Sequence, residues 1–249
     1  MIVYKSAAEI DALDRANALV LRILDALEGM VAPGISTWDL DRVAEEMTRK
    51  AGARPAFKGY HGFPGSLCTS VNDEVIHGIP SRKRILSEGD IISLDFGVVQ
   101  DGYFGDSART VPVGRISAEA GRLLKVTREA LSGALDAARP GSRLSDIGHA
   151  VQSRVEAAGF SVVREFVGHG IGSSLHEDPQ VPNYGPPGTG PVLKEGLVLA
   201  VEPMVNQGSP DVRLLPDGWT AVTVDGTLSA HFERCIALTA SGTRILGGA

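Results

Sequence analysis

A shift of 107 residues lays the second half of this chain over the first with its structural punctuation in register. Pro33-Gly34 falls on Pro140-Gly141, Asp39 on Asp146, and Ala51-Gly52 on Ala158-Gly159. Farther along, Leu86 falls on Leu193 and Glu88-Gly89 on Glu195-Gly196. IISLD (91–95) falls on VLAVE (198–202), so that Asp95 meets Glu202. Few side chains are identical, but element-ending residues agree in three separate blocks at one offset, which reads as an internal duplication.

Each repeat must then build the same unit. In the first, Ile10, Leu13, Val20, Leu24 and Leu27 recur at helical spacing over 7–31, with Pro33-Gly34 as the stop. Ser36 and Asp39 make an S-x-x-D start for a second helix over 37–51, closed by Gly52. From about 66 to 113 the texture is β, in LCTSV, DIISLDFGVV and YFGDSARTVPV, with Asp101-Gly102 as a hairpin turn. After Gly114, Leu123, Leu124, Ala130, Leu131, Ala134 and Leu135 mark a long helix ending at Pro140-Gly141. A shorter helix runs to Gly159, and β-like segments follow. Two helices followed by mainly antiparallel strands, twice over, predict an α+β architecture and not a doubly wound one. Half a sheet leaves half a core, so the reading is one continuous unit over 1–249, with halves of approximately 1–115 and 116–249.

Composition narrows what such a unit does. Thirty Asp and Glu against 24 Lys and Arg give a formal charge of −6, which argues against general phosphate-backbone binding. Cys68 and Cys235 are too few for a disulfide framework or a four-cysteine zinc site, and read as small buried apolar residues. Glu9, Asp11 and Asp14 interrupt what would be the apolar core of a secretion signal. LVLAV (197–201) stops at Glu202, far too short to span a bilayer. A cytoplasmic protein without membrane contact is expected.

Several acids sit where an acid is expensive. Asp95 closes an apolar strand, and the Asp101-Gly102 turn brings Asp106 nearly opposite it. Cross-strand neighbours have Cβ atoms about 5 Å apart, diagonal ones about 7–8 Å. Two carboxylates so close repel and lose hydration unless one reaches solvent or a cation lies between them; the pattern leaves both open. Glu202 follows GLVLAV and precedes Pro203, and Glu233 lies in LSAHFERC beside Arg234. Three histidines occupy glycine-marked or apolar contexts: His77 in VIHGIP, His169 in VGHGIG and His176 in SLHEDP. Adjacent glycines let a backbone approach a ligand or metal, although a lone histidine in such a setting is more often a hydrogen-bonded core residue. His61, His149 and His231 carry weaker signals, His149 fitting a helix face. DFG (95–97) lacks the HRD loop and glycine-rich loop of a kinase, and GHGIG lacks the lysine of a phosphate loop. Beyond Cys68 and His77, nothing supports a cysteine nucleophile.

Taken in order, Asp95, Asp106, His169, Glu202 and Glu233 resemble the ligand set of the methionine aminopeptidases. The likeness is carried by YHGFPGSLCTSVNDEVIHGIP (60–80), DIISLDFGVVQDGYFGDSART (90–110), VGHGIGSSLHEDPQVPN (167–183), LVLAVEPM (197–204) and DGWTAVTVDGTLSAHFE (217–233), and it runs over essentially the whole chain. It implies the pita-bread fold: pseudo-twofold duplicated halves, a curved antiparallel sheet flanked by helices, and a metal site between the halves. That agrees with the 107-residue repeat.

The resemblance also implies two divalent ions, drawn from Mn, Fe, Co or Zn, the oxygen-rich set suiting such cations. Asp95 and Asp106 would hold one, His169 and Glu202 the other, with Asp106 and Glu233 bridging. A water between the ions would be the nucleophile, with Glu202 as general base. His176 would stabilise the tetrahedral oxyanion, and His77 would contact the scissile amide. Tyr60, Phe63, Cys68 and Trp219 match the family's methionine pocket, with Phe57 at its edge. Phe63 stands where tyrosine is common and Leu175 where phenylalanine is common; both keep the wall apolar. Length leaves no room for the N-terminal domain of proline-specific relatives, and the helical insertion of type II enzymes is absent. The implied activity is that of a short, bacterial-style type I enzyme. It would be a monomer acting on nascent polypeptide N-termini near the ribosome, removing the initiator methionine when the second residue is small, with no direct nucleic-acid binding. Two rivals are weaker. Non-catalytic relatives that bind RNA or ribosomes have lost ligands that are all present here, and an X-Pro dipeptidase is disfavoured by length and Trp219.

Overall fold

The repeat is visible in the hydrogen bonding of a computed structural model that describes residues 1–248. Helices α1 (Ala7–Glu28) and α2 (Thr37–Lys50) open the first half, α3 (Ala118–Ala137) and α4 (Leu144–Ala157) the second. Moving α2 by 107 residues reproduces the bounds of α4. Isolated bridges join Ser36 to Ile85 and Arg143 to Val192, again 107 apart. The N–H of Gly34 donates to the Leu86 carbonyl and that of Gly141 to the Leu193 carbonyl, both at 2.8 Å. The Pro-Gly pairs thus tie the start of each second helix to a later segment of its own half. They do not end the long helices as expected: α1 stops at Glu28 with Gly29 as its cap, and α3 at Ala137.

Local signals account for the helix starts. Ser6 accepts from the Glu9 N–H while the Glu9 carboxylate accepts from the Ser6 N–H at 2.8 Å, a reciprocal cap. At α2, Ser36 Oγ accepts from the Asp39 N–H at 3.2 Å and donates to the Asp39 carboxylate, and Asp146 accepts from the Arg143 N–H at 2.7 Å at the start of α4.

The helices cover one face of a nine-stranded sheet in which every paired strand runs antiparallel. Its centre reads, in spatial order, Leu67–Val71, Ile91–Gln100, Tyr103–Pro112, Glu233–Thr239, Val198–Val201 and Gly168–Gly170. Three strands come from each half, and the seam lies between Tyr103–Pro112 and Glu233–Thr239. Strand periodicity decides what each face receives. Ile92, Leu94, Phe96 and Val98 pack with Leu19, Val20, Ile23 and Leu24 of α1, while Leu199 and Val201 pack with Leu123, Leu131, Ile147 and Val151 of α3 and α4. Each such fully buried Leu, Ile or Phe contributes about 1.5–3 kcal/mol. The intervening residues point to the opposite, concave face.

A candidate metal centre

Register places the acids on that concave face in one transverse row. Ala108 stands opposite Asp95 on one side and Glu233 on the other. Arg234 pairs with Val201, which carries Glu202 to the level of Glu233, and Cys68 extends the row beyond Asp95. Asp106, two residues from Ala108, lies opposite Gly97. Asp95 and Asp106, expected nearly opposite each other across the hairpin, are therefore diagonal neighbours. His169 enters from the next strand, opposite Ala200. Asp95 and Asp106 come from the first half, His169, Glu202 and Glu233 from the second.

Asp106, His169 and Glu233 each offer one donor atom within 4.8 Å of the others. Glu202 flanks this trio, its Oε1 3.5 Å from His169 Nε2, while His169 Nε2 stands 4.0 Å from Asp106 Oδ2. Asp95 lines the same cavity. The flanking glycines of His169 serve the sheet: a Cβ at Gly168 would meet the Ala200 carbonyl oxygen at 2.4 Å, and one at Gly170 the Asp178 carbonyl oxygen at 2.3 Å. Neighbouring backbone occupies the space a side chain would need at each.

The electrostatics are those of a site built for cations. Burial pushes Glu202 up to about 8. Asp95 rises to about 7, through burial and the nearby Glu202 carboxylate. Burial and the surrounding carboxylates raise Asp106 and Glu233 well above the usual range. Asp106 Oδ1 and Glu233 Oε1 are buried with no hydrogen-bond partner. Such oxygens are costly unless something positive meets them. His169 Nδ1 lies 2.8 Å from the Gly170 carbonyl, to which it donates, leaving the Nε2 lone pair toward the acids. Burial holds this imidazole at about 4, neutral at physiological pH and ready to ligate. The donor set fits divalent cations.

A cavity of about 270 Å³ opens over the acids, and its apolar wall includes Phe57, Phe63, Cys68, Leu175 and Trp219. The Phe63 and Trp219 rings meet edge to face at 5.2 Å. Tyr60 Oη lies 2.9 Å from His176 Nδ1, and the His176 ring stands against His169 with centroids 4.4 Å apart. Desolvation and nearby His61 lower the basicity of His176. His77, in a left-handed conformation at φ 59°, is held at about 4 by burial and by His231 and His176. Every site residue expected from the sequence thus lines this one cavity.

The sequence reading ranked one residue too low. His231 is 2% exposed, and its Nε2 lies 3.6 Å from Glu202 Oε2. Its spacing two residues before Glu233 was the available signal, since alternate residues of an extended chain share a side.

Fold and site together define a metal-dependent hydrolase of the pita-bread class. Residues 11–240 match metallopeptidase family M24. Methionine aminopeptidase 1 of Bacillus subtilis is 54% identical over 246 residues, covering 99% of each chain. That of Mycobacterium tuberculosis is 45% identical over 248 residues, covering 97% of this chain and 93% of its own. The crystal structure of methionine aminopeptidase from Thermotoga maritima superposes with a TM-score of 0.98 at 46% identity, covering all of both chains. The chain belongs to metallopeptidase family M24 and, within it, to the short type I methionine aminopeptidases. Prolidase from Pyrococcus furiosus shares the fold at a TM-score of 0.79 and 21% identity, this chain spanning 66% of its length.

Proposed function

We propose that this protein hydrolyses the first peptide bond of polypeptides that begin with methionine followed by a small residue, using two divalent ions. The observation carrying this reading is the single cavity in which a carboxylate–imidazole cluster forms the floor and an apolar slot the wall. Because ligands come from both halves, the duplicated chain would work as one catalytic unit. Substrates would be nascent chains, met by a monomer in the cytoplasm close to the ribosome. Among the described residues no helix is long and apolar enough to cross a membrane.

Asp95 and Asp106 would hold one ion, His169 and Glu202 the other, with Asp106 and Glu233 shared between them. Bound there, divalent ions such as Mn²⁺, Fe²⁺, Co²⁺ or Zn²⁺ supply Lewis acidity, acidifying water and polarising a carbonyl. The protein does the rest. Phe57, Tyr60, Phe63, Cys68 and Trp219 would receive the unbranched thioether side chain and exclude water from it. Glu202 would take the proton of the attacking water and return it to the leaving amine. His176, oriented by Tyr60 Oη, would donate to the oxyanion, and His77 would hydrogen-bond the scissile amide. Both rings can donate one hydrogen bond while neutral.

The test is release of methionine from Met-Ala-Ser by purified protein loaded with Mn²⁺, beside a Phe-Pro dipeptide under the same conditions. Cleavage of the tripeptide alone is expected. Failure on the tripeptide overturns the proposal, and preferential cleavage of Phe-Pro would assign a dipeptidase.

A further inference from the structure

Glu202 lies between two imidazoles, only one of which belongs to the expected ligand set. Its Oε1 faces His169 Nε2 at 3.5 Å and its Oε2 faces His231 Nε2 at 3.6 Å. His231 is buried, and neither ring nitrogen has a hydrogen-bond partner. A buried, unpartnered imidazole aimed at a carboxylate calls for a role.

The backbone that carries the ring is held in place. The His231 N–H donates to Thr110 Oγ1 at 2.8 Å, and that hydroxyl donates back to the His231 carbonyl at 2.9 Å. Ser93 Oγ, 2.8 Å from Thr110 Oγ1, completes the buried chain. Glu202 is anchored independently, because Asn183 Nδ2 donates to its backbone carbonyl at 3.0 Å. With both main chains pinned, Nε2 and Oε2 stand 3.6 Å apart, just outside hydrogen-bonding range. Catalytic hydrogen bonds are commonly long until substrate or metal tightens them.

We infer that His231 is a positioning residue that donates from Nε2 to Glu202 Oε2, fixing the carboxylate rotamer and keeping Oε1 turned toward His169. This rests on the reading of Glu202 as the base. It assigns His231 neither metal ligation nor contact with substrate.

Three measurements test it. In ¹⁵N-histidine-labelled, Zn²⁺-loaded protein, NMR should find His231 as the Nε2–H tautomer. A bare or metal-bound Nε2 with the proton on Nδ1 overturns the assignment. His231→Ala should lower kcat on Met-Ala-Ser about 10- to 100-fold, the scale of a hydrogen bond to a charged group, with KM changed less than about threefold. His231→Gln places an amide N–H near the same point and should restore kcat to within about threefold of the unmodified protein. Equal damage in both variants, or kcat within about twofold in His231→Ala, refutes positioning. Should the alanine variant fail to fold, the glutamine variant and the tautomer still decide. An unmodified protein inactive on Met-Ala-Ser that nonetheless carries the Nε2–H tautomer would sink the proposed activity and leave the hydrogen bond standing.

Discussion

Mn²⁺ added to metal-free protein is expected to expel protons, in a number set by the buried carboxyls. Asp95 sits at about 7 against an ordinary 3.8, and Glu202 at about 8 against 4.5. A carboxyl must be ionised to ligate. At pH 7 both carboxyls still hold protons much of the time, so these two alone release about one to two protons between them. The pair holds more, up to about two protons, at pH 6 and fewer at pH 8. Protons held by Asp106 and Glu233, which are displaced in the same direction, add to each figure. His169, held at about 4, contributes none. Isothermal titration calorimetry in buffers of differing ionisation enthalpy reads the count directly, as the slope of observed against buffer enthalpy. Apparent Mn²⁺ affinity must rise as pH climbs from 6 to 8. Fewer than about one proton at pH 6, or affinity independent of pH, would show that these acids do not receive the metal.

The same groups govern the stability of stripped protein. Their folded pKa values lie above the unfolded ones, so their contribution is complete below pH about 4 and is lost as pH rises through 7 and 8. Urea unfolding with chelator should show a fall of roughly 0.5–1 kcal/mol between pH 7.5 and 8.5, above the range in which the depressed His77, His169, His176 and His231 add stability as the unfolded chain loses its histidine protons, and almost none with saturating Mn²⁺. Glu202→Ala should abolish turnover, and normal activity would remove Glu202 from the mechanism; His77→Ala should slow catalysis with metal content near that of the unmodified protein. Lys5 Nζ donates to Glu177 Oε2 at 2.5 Å with both side chains largely buried, tying the N-terminal segment to the loop that carries His176. Lys5→Met should cost about 3–5 kcal/mol in chemical denaturation by stranding Glu177; a loss under about 1 kcal/mol would mean that water reaches it.

Sequence alone was sufficient for everything that repeats or alternates. Turn residues 107 apart announced two equivalent halves, helical and strand periods located most elements, and strand parity put Asp95 on the face opposite Leu94 and Phe96. Those signals are local, since each depends on backbone geometry within a few residues. The five expected metal donors were legible through resemblance, as was the pocket. Helix ends and strand register were not. Pro33-Gly34 looked like a helix stop, yet the chain had already turned at Gly29 and used Gly34 to reach the Leu86 carbonyl. Asp95 and Asp106 looked nearly opposed, and only the pairing across the hairpin decided that they stand diagonally. The glycines beside His169 looked like room for a ligand and proved to be room for the carbonyls of Ala200 and Asp178. His231 looked unremarkable in SAHFE, because its importance lies in facing Glu202, 29 residues away. Which buried polar groups meet, and which remain unpartnered, depends on how two halves close across the seam between Tyr103–Pro112 and Glu233–Thr239, and tertiary packing alone decides that.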